Sequence, residues 1–181
     1  ASKVCANANH LPLADNSVDI VISSLMMQWC PDLKQLFSEI HRVLKNDGLI
    51  LFSTFGPDTL KELKKSWLVV DNDTHVNTFT DMHDIGDQIL GCGFQSPVME
   101  MEKLTLTYQA VIDLLRDLKA IGAQSVDKRS KSLTGKDKFK LMTKMYESYR
   151  KEGKLPATYE VIYGHAWKKI SNIKKIQINN Q

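Results

Sequence analysis

Two serines at the end of an apolar run are the first candidates for a binding role. The run over 18–24 is rich in β-branched residues and has the length of a buried strand. In open α/β sheets, ligands bind at the carboxyl ends of parallel strands. We therefore expect Ser23, Ser24 and the following Leu25 to lie beside a ligand, and the alternative is that they only pack at the end of the strand.

Arg116 and Lys119 are candidates for binding an anionic group. They lie three positions apart in a segment of helical spacing, so both cations would share one helix face. A guanidinium can bind a carboxylate through two parallel hydrogen bonds. The same cations could instead pair with Asp113 and Asp117 on a solvated helix surface, and the sequence leaves both interpretations open.

Motifs for several other chemistries do not occur in the sequence. It contains neither a Gly-x-Gly-x-x-Gly turn nor a Gly-Lys-Ser/Thr loop, which are the usual phosphate-binding signatures. The five histidines lack the His-Glu-x-x-His and i, i+4 spacings of metal sites. The three cysteines form no Cys-x-x-Cys pair, which is typical of a protein from a reducing compartment. We predict no metal site and a cytoplasmic location.

The hydrophobic pattern predicts the elements that position these residues. We expect strands over 18–24, 49–55, 98–108 and 159–167, and helices over 31–45, 58–70, 80–91, 110–121 and 136–151. The succession of strand, helix and strand over 18–55 predicts a βαβ unit with parallel strands. The fold class is therefore α/β, in one domain over about 1–170 that is followed by a polar tail over 171–181.

Two stretches resemble class I S-adenosylmethionine-dependent methyltransferases from their fourth strand onward. They are Ala8-Asn-His-Leu-Pro-Leu-Ala-Asp-Asn-Ser-Val-Asp-Ile-Val-Ile-Ser-Ser-Leu25 and Val43-Leu-Lys-Asn-Asp-Gly-Leu-Ile-Leu-Phe52. Val18 stands where that family usually has Phe, and Asp47-Gly48 replaces a double glycine.

Other fragments resemble one subfamily, the malonyl-carrier-protein O-methyltransferases of biotin synthesis. They include Ser24-Leu-Met-Met-Gln-Trp29, Ser53-Thr-Phe-Gly-Pro-Asp-Thr-Leu60, Leu118-Lys-Ala-Ile-Gly-Ala123 and Leu155-Pro-Ala-Thr-Tyr159. The resemblance implies the C-terminal part of a Rossmann-like methyltransferase sheet, with a helical lid insertion over about 108–153 before the last strand. It also implies that S-adenosylmethionine is the cofactor and that the substrate is the free carboxylate of a malonyl thioester on acyl-carrier protein.

The resemblance assigns roles to individual residues. Asn7 and Ala8 match the family's position beside the adenine, although Asn7 could equally be a simple loop residue. Gln28 and Trp29 would line the substrate pocket, or they would be core residues.

The same resemblance places Ser23, Ser24 and Leu25 beside the cofactor, and Arg116 and Lys119 in the lid, where they would orient the substrate carboxylate. Methyl transfer to an ionised carboxylate needs no strong base, so we expect positioning residues without a catalytic nucleophile.

The glycine-rich turn and the ribose-binding acid of this family would precede Ala1. We therefore expect weakened or lost cofactor binding, and an uncovered sheet edge that pairs with a separate N-terminal half or with a second copy of the chain. Two alternative functions stay open. The absent glycine-rich turn favours a non-catalytic remnant or subunit. A methyltransferase that acts on a small molecule is the other alternative, because the strand and turn motifs are shared across the superfamily.

The net charge of +3 is unevenly distributed. Residues 128–151 contain nine Lys or Arg against two Asp or Glu, whereas 1–127 contain ten against seventeen. The basic stretch is either a solvated face or a docking surface for an acidic partner such as carrier protein. Its aromatic residues follow the apolar stripe of a helix, so we predict no nucleic-acid site, and no apolar run reaches the length of a membrane span.

Overall fold

The computed structural model describes residues 3–122 and 135–169. In chain order the elements are β1 (Val18–Ser24), α1 (Leu33–Val43), β2 (Leu44–Phe55), α2 (Lys61–Leu68), α3 (Met82–Gly91), β3 (Gln95–Tyr108), α4 (Val111–Ala120), α5 (Lys136–Glu147) and β4 (Leu155–Lys168). A short 3-10 helix, Met27–Trp29, precedes α1. A search of the described helices finds none that combines the length and the apolar character that are needed to cross a membrane.

The strands form one four-stranded sheet in the order β1-β2-β4-β3. β1 and β2 pair in parallel, with Ile20 opposite Leu49 and Ser24 opposite Ser53. The predicted βαβ unit and the α/β fold class are confirmed. The last strand in the sequence lies between β2 and β3, so β1 and β3 occupy the two edges of the sheet.

The predicted boundary between α1 and β2 was a few residues late. The helix ends at Val43 and the strand begins at Leu44, before the Asn46-Asp47-Gly48 turn. Asp47 has a φ of 59°, a left-handed conformation that Asp tolerates better than most residues. A Cβ atom on Gly48 would lie 2.7 Å from the Lys45 carbonyl oxygen, so only glycine fits there. The turn therefore forms an irregularity inside the strand.

The prediction that β1 is a buried strand was wrong. Ile20 is 55% exposed and Ile22 is 74% exposed, whereas Ser23 is buried. β1 lies at an edge of the sheet, with β2 on one side only. An apolar, β-branched run occurs in edge strands as well as in central ones. The pattern therefore predicted a strand correctly, but it could not predict how buried that strand is. β3 is mostly exposed and forms the opposite edge of the sheet.

The chain divides into two compact units. Of the described residues, the first unit contains 3–53, 83–99 and 163–169, and the second contains 54–82, 100–122 and 135–162. The described part of the predicted lid insertion over 108–153, residues 108–122 and 135–153, belongs to the second unit. Part of that insertion and the predicted polar tail over 171–181 lie outside the described residues.

The core of the first unit forms around α1. Asp32 caps this helix by accepting a hydrogen bond from the Gln35 N–H at 2.8 Å. The helix buries one apolar face, on which Phe37 packs against Phe52 of β2 with ring centroids 6.1 Å apart. Phe52 in turn lies directly over Gly164 of β4, which leaves no room for a side chain at that position. The unit is therefore held by close aromatic packing on its sheet.

The second unit has its own hydrophobic core, to which α2, α4, α5 and the first residues of β4 contribute. Its buried residues are Leu60, Leu63, Trp67, Val111, Leu114, Leu118, Met142, Tyr146, Leu155 and Ala157. The Tyr146 hydroxyl donates to the Pro156 carbonyl at 2.8 Å. The buried Glu62 carboxylate accepts from the Thr158 hydroxyl at 2.5 Å and from its N–H at 3.1 Å, which links α2 to β4.

Candidate functional site

The carboxyl ends of β1 and β2 meet at one edge of the first unit. The parallel register places Ser24 beside Ser53. Leu25 has a φ of 46°, and its N–H donates to the Ser53 carbonyl at 3.0 Å, with the Ser53 hydroxyl at 3.2 Å. The chain therefore turns sharply as soon as β1 ends. This turn holds the predicted residues at the place where open α/β sheets bind their ligands.

Ser23 has an unusual environment at this edge. The residue is 7% exposed, and its hydroxyl oxygen is buried without a hydrogen-bond partner among the described residues. A buried hydroxyl without a partner destabilises a folded protein by about 1–3 kcal/mol. Within the same described ranges, Asn9 Oδ1 is the other buried side-chain atom without a partner. Both atoms lie in the first unit and are suited to a polar ligand.

Gln28 and Trp29 lie in the short 3-10 helix that follows the turn. The Gln28 side-chain amide donates to the Leu25 carbonyl at 2.5 Å. Met27 is 1% exposed and anchors the segment, whereas Trp29 is 45% exposed. A core role for Trp29 is therefore wrong, because almost half of the residue is exposed. Its predicted role in binding substrate stays a prediction.

Asn7 and Ala8 lie in a separate turn of the same unit. The Asn7 carbonyl accepts from the His10 N–H at 2.9 Å, and its side-chain oxygen accepts from the Asn9 N–H at 2.9 Å. The Asn9 carbonyl accepts from the Gln35 side chain at 3.4 Å, which ties the turn to α1. The Asn7 side-chain oxygen thus has a structural role in the turn, and its adenine contact stays a prediction.

Arg42 fixes the loop that joins this turn to β1. Its guanidinium donates to the Leu13 carbonyl at 2.9 Å and to Asp15 Oδ1 at 2.5 Å. It also forms two hydrogen bonds with the Glu39 carboxylate, at 2.7 and 2.9 Å. The other end of this network is the Leu11 N–H, which donates to Glu39 at 2.7 Å. These hydrogen bonds from Arg42 hold the pKa of Glu39 below its usual value.

The Arg42 network was missed in the sequence, although a signal for it was present. Glu39 lies inside the apolar stripe of α1, between Phe37 and Ile40, and is itself buried. A buried acid is almost always paired, and Arg42 follows it by three positions. The pair could therefore have been predicted as a structural contact.

Arg116 and Lys119 lie on α4, in the second unit. Arg116 pairs with Asp113 at 3.1 Å, and its side chain is 71% exposed. Lys119 is also exposed. The ion pair that the sequence offered as the alternative is therefore present. The role of both cations in binding a carboxylate stays a prediction.

A further polar cluster of the second unit contains Asp71, Asp73 and His75, with one ligand atom from each within 4.8 Å of the others. Asp71 already pairs with His75 at 2.7 Å and with Lys138 at 2.8 Å. The His75 ring stacks on Trp67 at 3.7 Å. These contacts explain the cluster as an ion-pair network between α5 and the loop after α2.

Comparison with known proteins finds similarity to methyltransferases. A family profile described as "Methyltransferase domain" matches residues 1–52. A protein from Gallionella capsiferriformans that is named malonyl-[acyl-carrier protein] O-methyltransferase is 54% identical over 173 residues, which cover 95% of this chain and 60% of that protein. The chain therefore spans about 60% of the length of this relative.

Solved structures with low sequence identity have the same fold. The YcgJ protein from Bacillus subtilis has a TM-score of 0.60 at 14% identity, covering 91% of this chain and 70% of that one. A putative methyltransferase from Bacillus halodurans has a TM-score of 0.58 at 16% identity, with the same coverage. The resemblance to class I methyltransferases is confirmed. The fold that the strand and turn motifs implied is therefore shared with these solved structures.

Proposed function

We propose that this chain is part of an S-adenosylmethionine-dependent O-methyltransferase, and that its substrate is the free carboxylate of a malonyl thioester on acyl-carrier protein. The observation that carries this proposal is the 54% identity over 95% of the chain to a relative of that name. The fragment Ser24-Leu-Met-Met-Gln-Trp29, which resembles that subfamily, lies at the edge where a ligand is expected.

Two buried polar atoms of the first unit, one at the strand end and one in the turn over 7–10, suit the proposed cofactor. The buried Ser23 hydroxyl can donate or accept a hydrogen bond, and Asn9 Oδ1 can accept one. S-adenosylmethionine has ribose hydroxyls and amino groups that would satisfy both atoms. When bound, it would supply a methyl group that its sulfonium charge already activates.

The roles of the chain's own residues are to bind and to orient. The turn at Leu25 and the 3-10 helix would fix one wall of the site, and the exposed Trp29 ring would exclude water from the reacting groups. Arg116 would orient the malonyl carboxylate as a positioning residue of the lid. No proton transfer by a side chain is needed, because the carboxylate is ionised at neutral pH.

Ser23→Ala tests whether the buried Ser23 hydroxyl, which has no hydrogen-bond partner among the described residues, contacts the cofactor. We expect the variant to bind S-adenosylhomocysteine about tenfold more weakly in calorimetric titration, since one hydrogen bond to the ligand is lost. Its free energy of unfolding should stay equal or rise, because an unsatisfied buried group has been removed.

Ser38→Ala is the matched control, because Ser38 is exposed and its hydroxyl has, within the described part of the chain, one polar contact, with the Cys92 sulfur at 3.5 Å. Equal affinities of the Ser23 and Ser38 variants would contradict the proposed cofactor contact. If the wild-type chain itself fails to bind, the alternative of a non-catalytic subunit that needs a separate N-terminal half is supported instead.

A further inference from the structure

Helix α5 presents two different faces. Met142 and Tyr146 are fully buried in the core of the second unit. Lys136, Lys140 and Lys144 follow one another at intervals of four residues, and all three are exposed. Residues at this spacing lie on one stripe of a helix, about 6 Å apart along its axis. We call these three residues the lysine stripe.

The lysine stripe lacks a compensating charge. No carboxylate of the described ranges, 3–122 and 135–169, forms an ion pair with any of the three ammonium groups. Lys138, on another side of the same helix, pairs with Asp71 at 2.8 Å. Like charges at i, i+4 destabilise a helix, so the stripe is unfavourable for α5 taken alone.

An exposed apolar side chain lies beside the stripe. Leu141 is 42% exposed and precedes Lys144 by three positions, a spacing at which two side chains are neighbours on a helix surface. A row of cations next to an apolar side chain is complementary to a helix that has carboxylates along one side and an apolar residue beside them. A partner of that chemistry would neutralise the stripe and cover Leu141 in one contact.

We propose that the lysine stripe of α5, with Leu141, is the docking surface for an acidic helix of the carrier protein that holds the malonyl group. This inference rests on the proposed function, because that function requires a carrier-protein partner. Charge steering by the stripe would raise the rate of association, and it would make binding weaken as salt increases.

The charge-reversed variant Lys136→Glu/Lys140→Glu/Lys144→Glu tests the proposal. Malonyl-carrier protein binding to the full chain is measured by fluorescence anisotropy at several salt concentrations. We expect Kd to rise at least about tenfold and the salt dependence to flatten. The milder variant Lys136→Gln/Lys140→Gln/Lys144→Gln should give an intermediate loss, and it keeps the test valid if charge reversal unfolds α5.

A matched control carries the same change in net charge elsewhere. Lys3, Lys34 and Lys65 are exposed, so their triple replacement by Glu should leave Kd within about twofold of wild type. The proposal would be overturned if both triple variants weakened the binding of carrier protein equally. It would also be overturned if single-stranded DNA competed with carrier protein as well as unlabelled carrier protein does. Either result would mean that net charge alone, and not the lysine stripe, determines binding.

Methyl transfer to malonyl-pantetheine separates this inference from the proposed function. The stripe variants should methylate this small thioester as wild type does and lose activity only on the carrier-bound substrate. A stripe variant with wild-type activity on the carrier-bound substrate would overturn the proposed docking surface but leave the proposed function standing. A wild-type protein that binds S-adenosylhomocysteine but methylates neither substrate would overturn the proposed function itself.

Discussion

Replacement of Gly164 by Ala should disrupt the aromatic packing of the first unit. A Cβ atom at this position would lie 2.6 Å from Phe52 Cε1 and 2.9 Å from Cε2, with Cζ closer still. Real Cβ contacts essentially never fall below 3.0 Å, so the ring must move. Phe52 is 5% exposed and packs against Phe37, so it has no free space to move into.

The expected loss of stability for Gly164→Ala follows from these contacts. Overpacking of a core costs about 1–3 kcal/mol, and three overlapping ring atoms place this site at the upper end. Replacing a glycine within a strand by alanine stabilises the folded state by about 0.5–1 kcal/mol, which offsets part of this loss. We therefore expect a net loss of about 2 kcal/mol in the free energy of unfolding, or a melting temperature that is lower by about 4–8 °C.

Urea unfolding of a small set of variants measures this effect. Gly91→Ala is the matched control, because a Cβ atom there would have nothing within 4 Å, and it should be neutral or stabilising by up to about 1 kcal/mol. In a Phe52→Leu background, Gly164→Ala should cost little, because the overlapping ring atoms are gone. An equal cost of Gly164→Ala in both backgrounds would refute the steric explanation.

Three more predictions concern the ion pairs and the exposed edge. Arg42→Ala should lower the melting temperature by several degrees and speed hydrogen exchange of the Leu11 amide, whereas Lys34→Ala on the same helix should change neither. Lys138 and His75 lower the pKa of Asp71 to about 2, below the value near 3.9 of an unfolded chain. The stabilisation by Asp71 should therefore be complete above about pH 4 and be lost as pH falls through about 2. The unfolding free energies of wild type and Asp71→Asn should then differ at pH 7 and converge at pH 2. The exposed Ile22 should make the purified chain dimerise through β1, and Ile22→Lys should give a monomer in light scattering; a monomeric wild type at all concentrations would contradict this.

Much of the fold was predictable because its signals are local. The apolar run of β1 and the helical spacing of α1 each predicted the correct element. The exposure of Ile20 and Ile22 does not follow from the apolar run itself, because burial depends on which strands flank β1 in the sheet. The requirement for glycine at position 164 was equally hidden, because it depends on which ring of another strand crosses it.

The candidate site was predictable in part. The rule that ligands bind at strand ends identified Ser23, which then proved to have a buried hydroxyl without a partner in the described part of the chain. The i, i+3 spacing of Asp113 and Arg116 offered their ion pair as one of two interpretations, and the pair is present. The role of Arg42 depends on contacts with Leu13 and with Asp15, which are distant in sequence, and periodicity does not report such contacts.

The most direct test of the proposed function is methyl transfer by the purified protein to malonyl-carrier protein, followed by mass spectrometry of the intact carrier. We predict that the carrier gains the mass of one methyl group, that esterase treatment removes it, and that acetyl-carrier protein, which has no free carboxylate, gains nothing. Methylation of acetyl-carrier protein, or no transfer to malonyl-carrier protein by a protein that binds S-adenosylhomocysteine, would contradict the proposed carboxylate substrate.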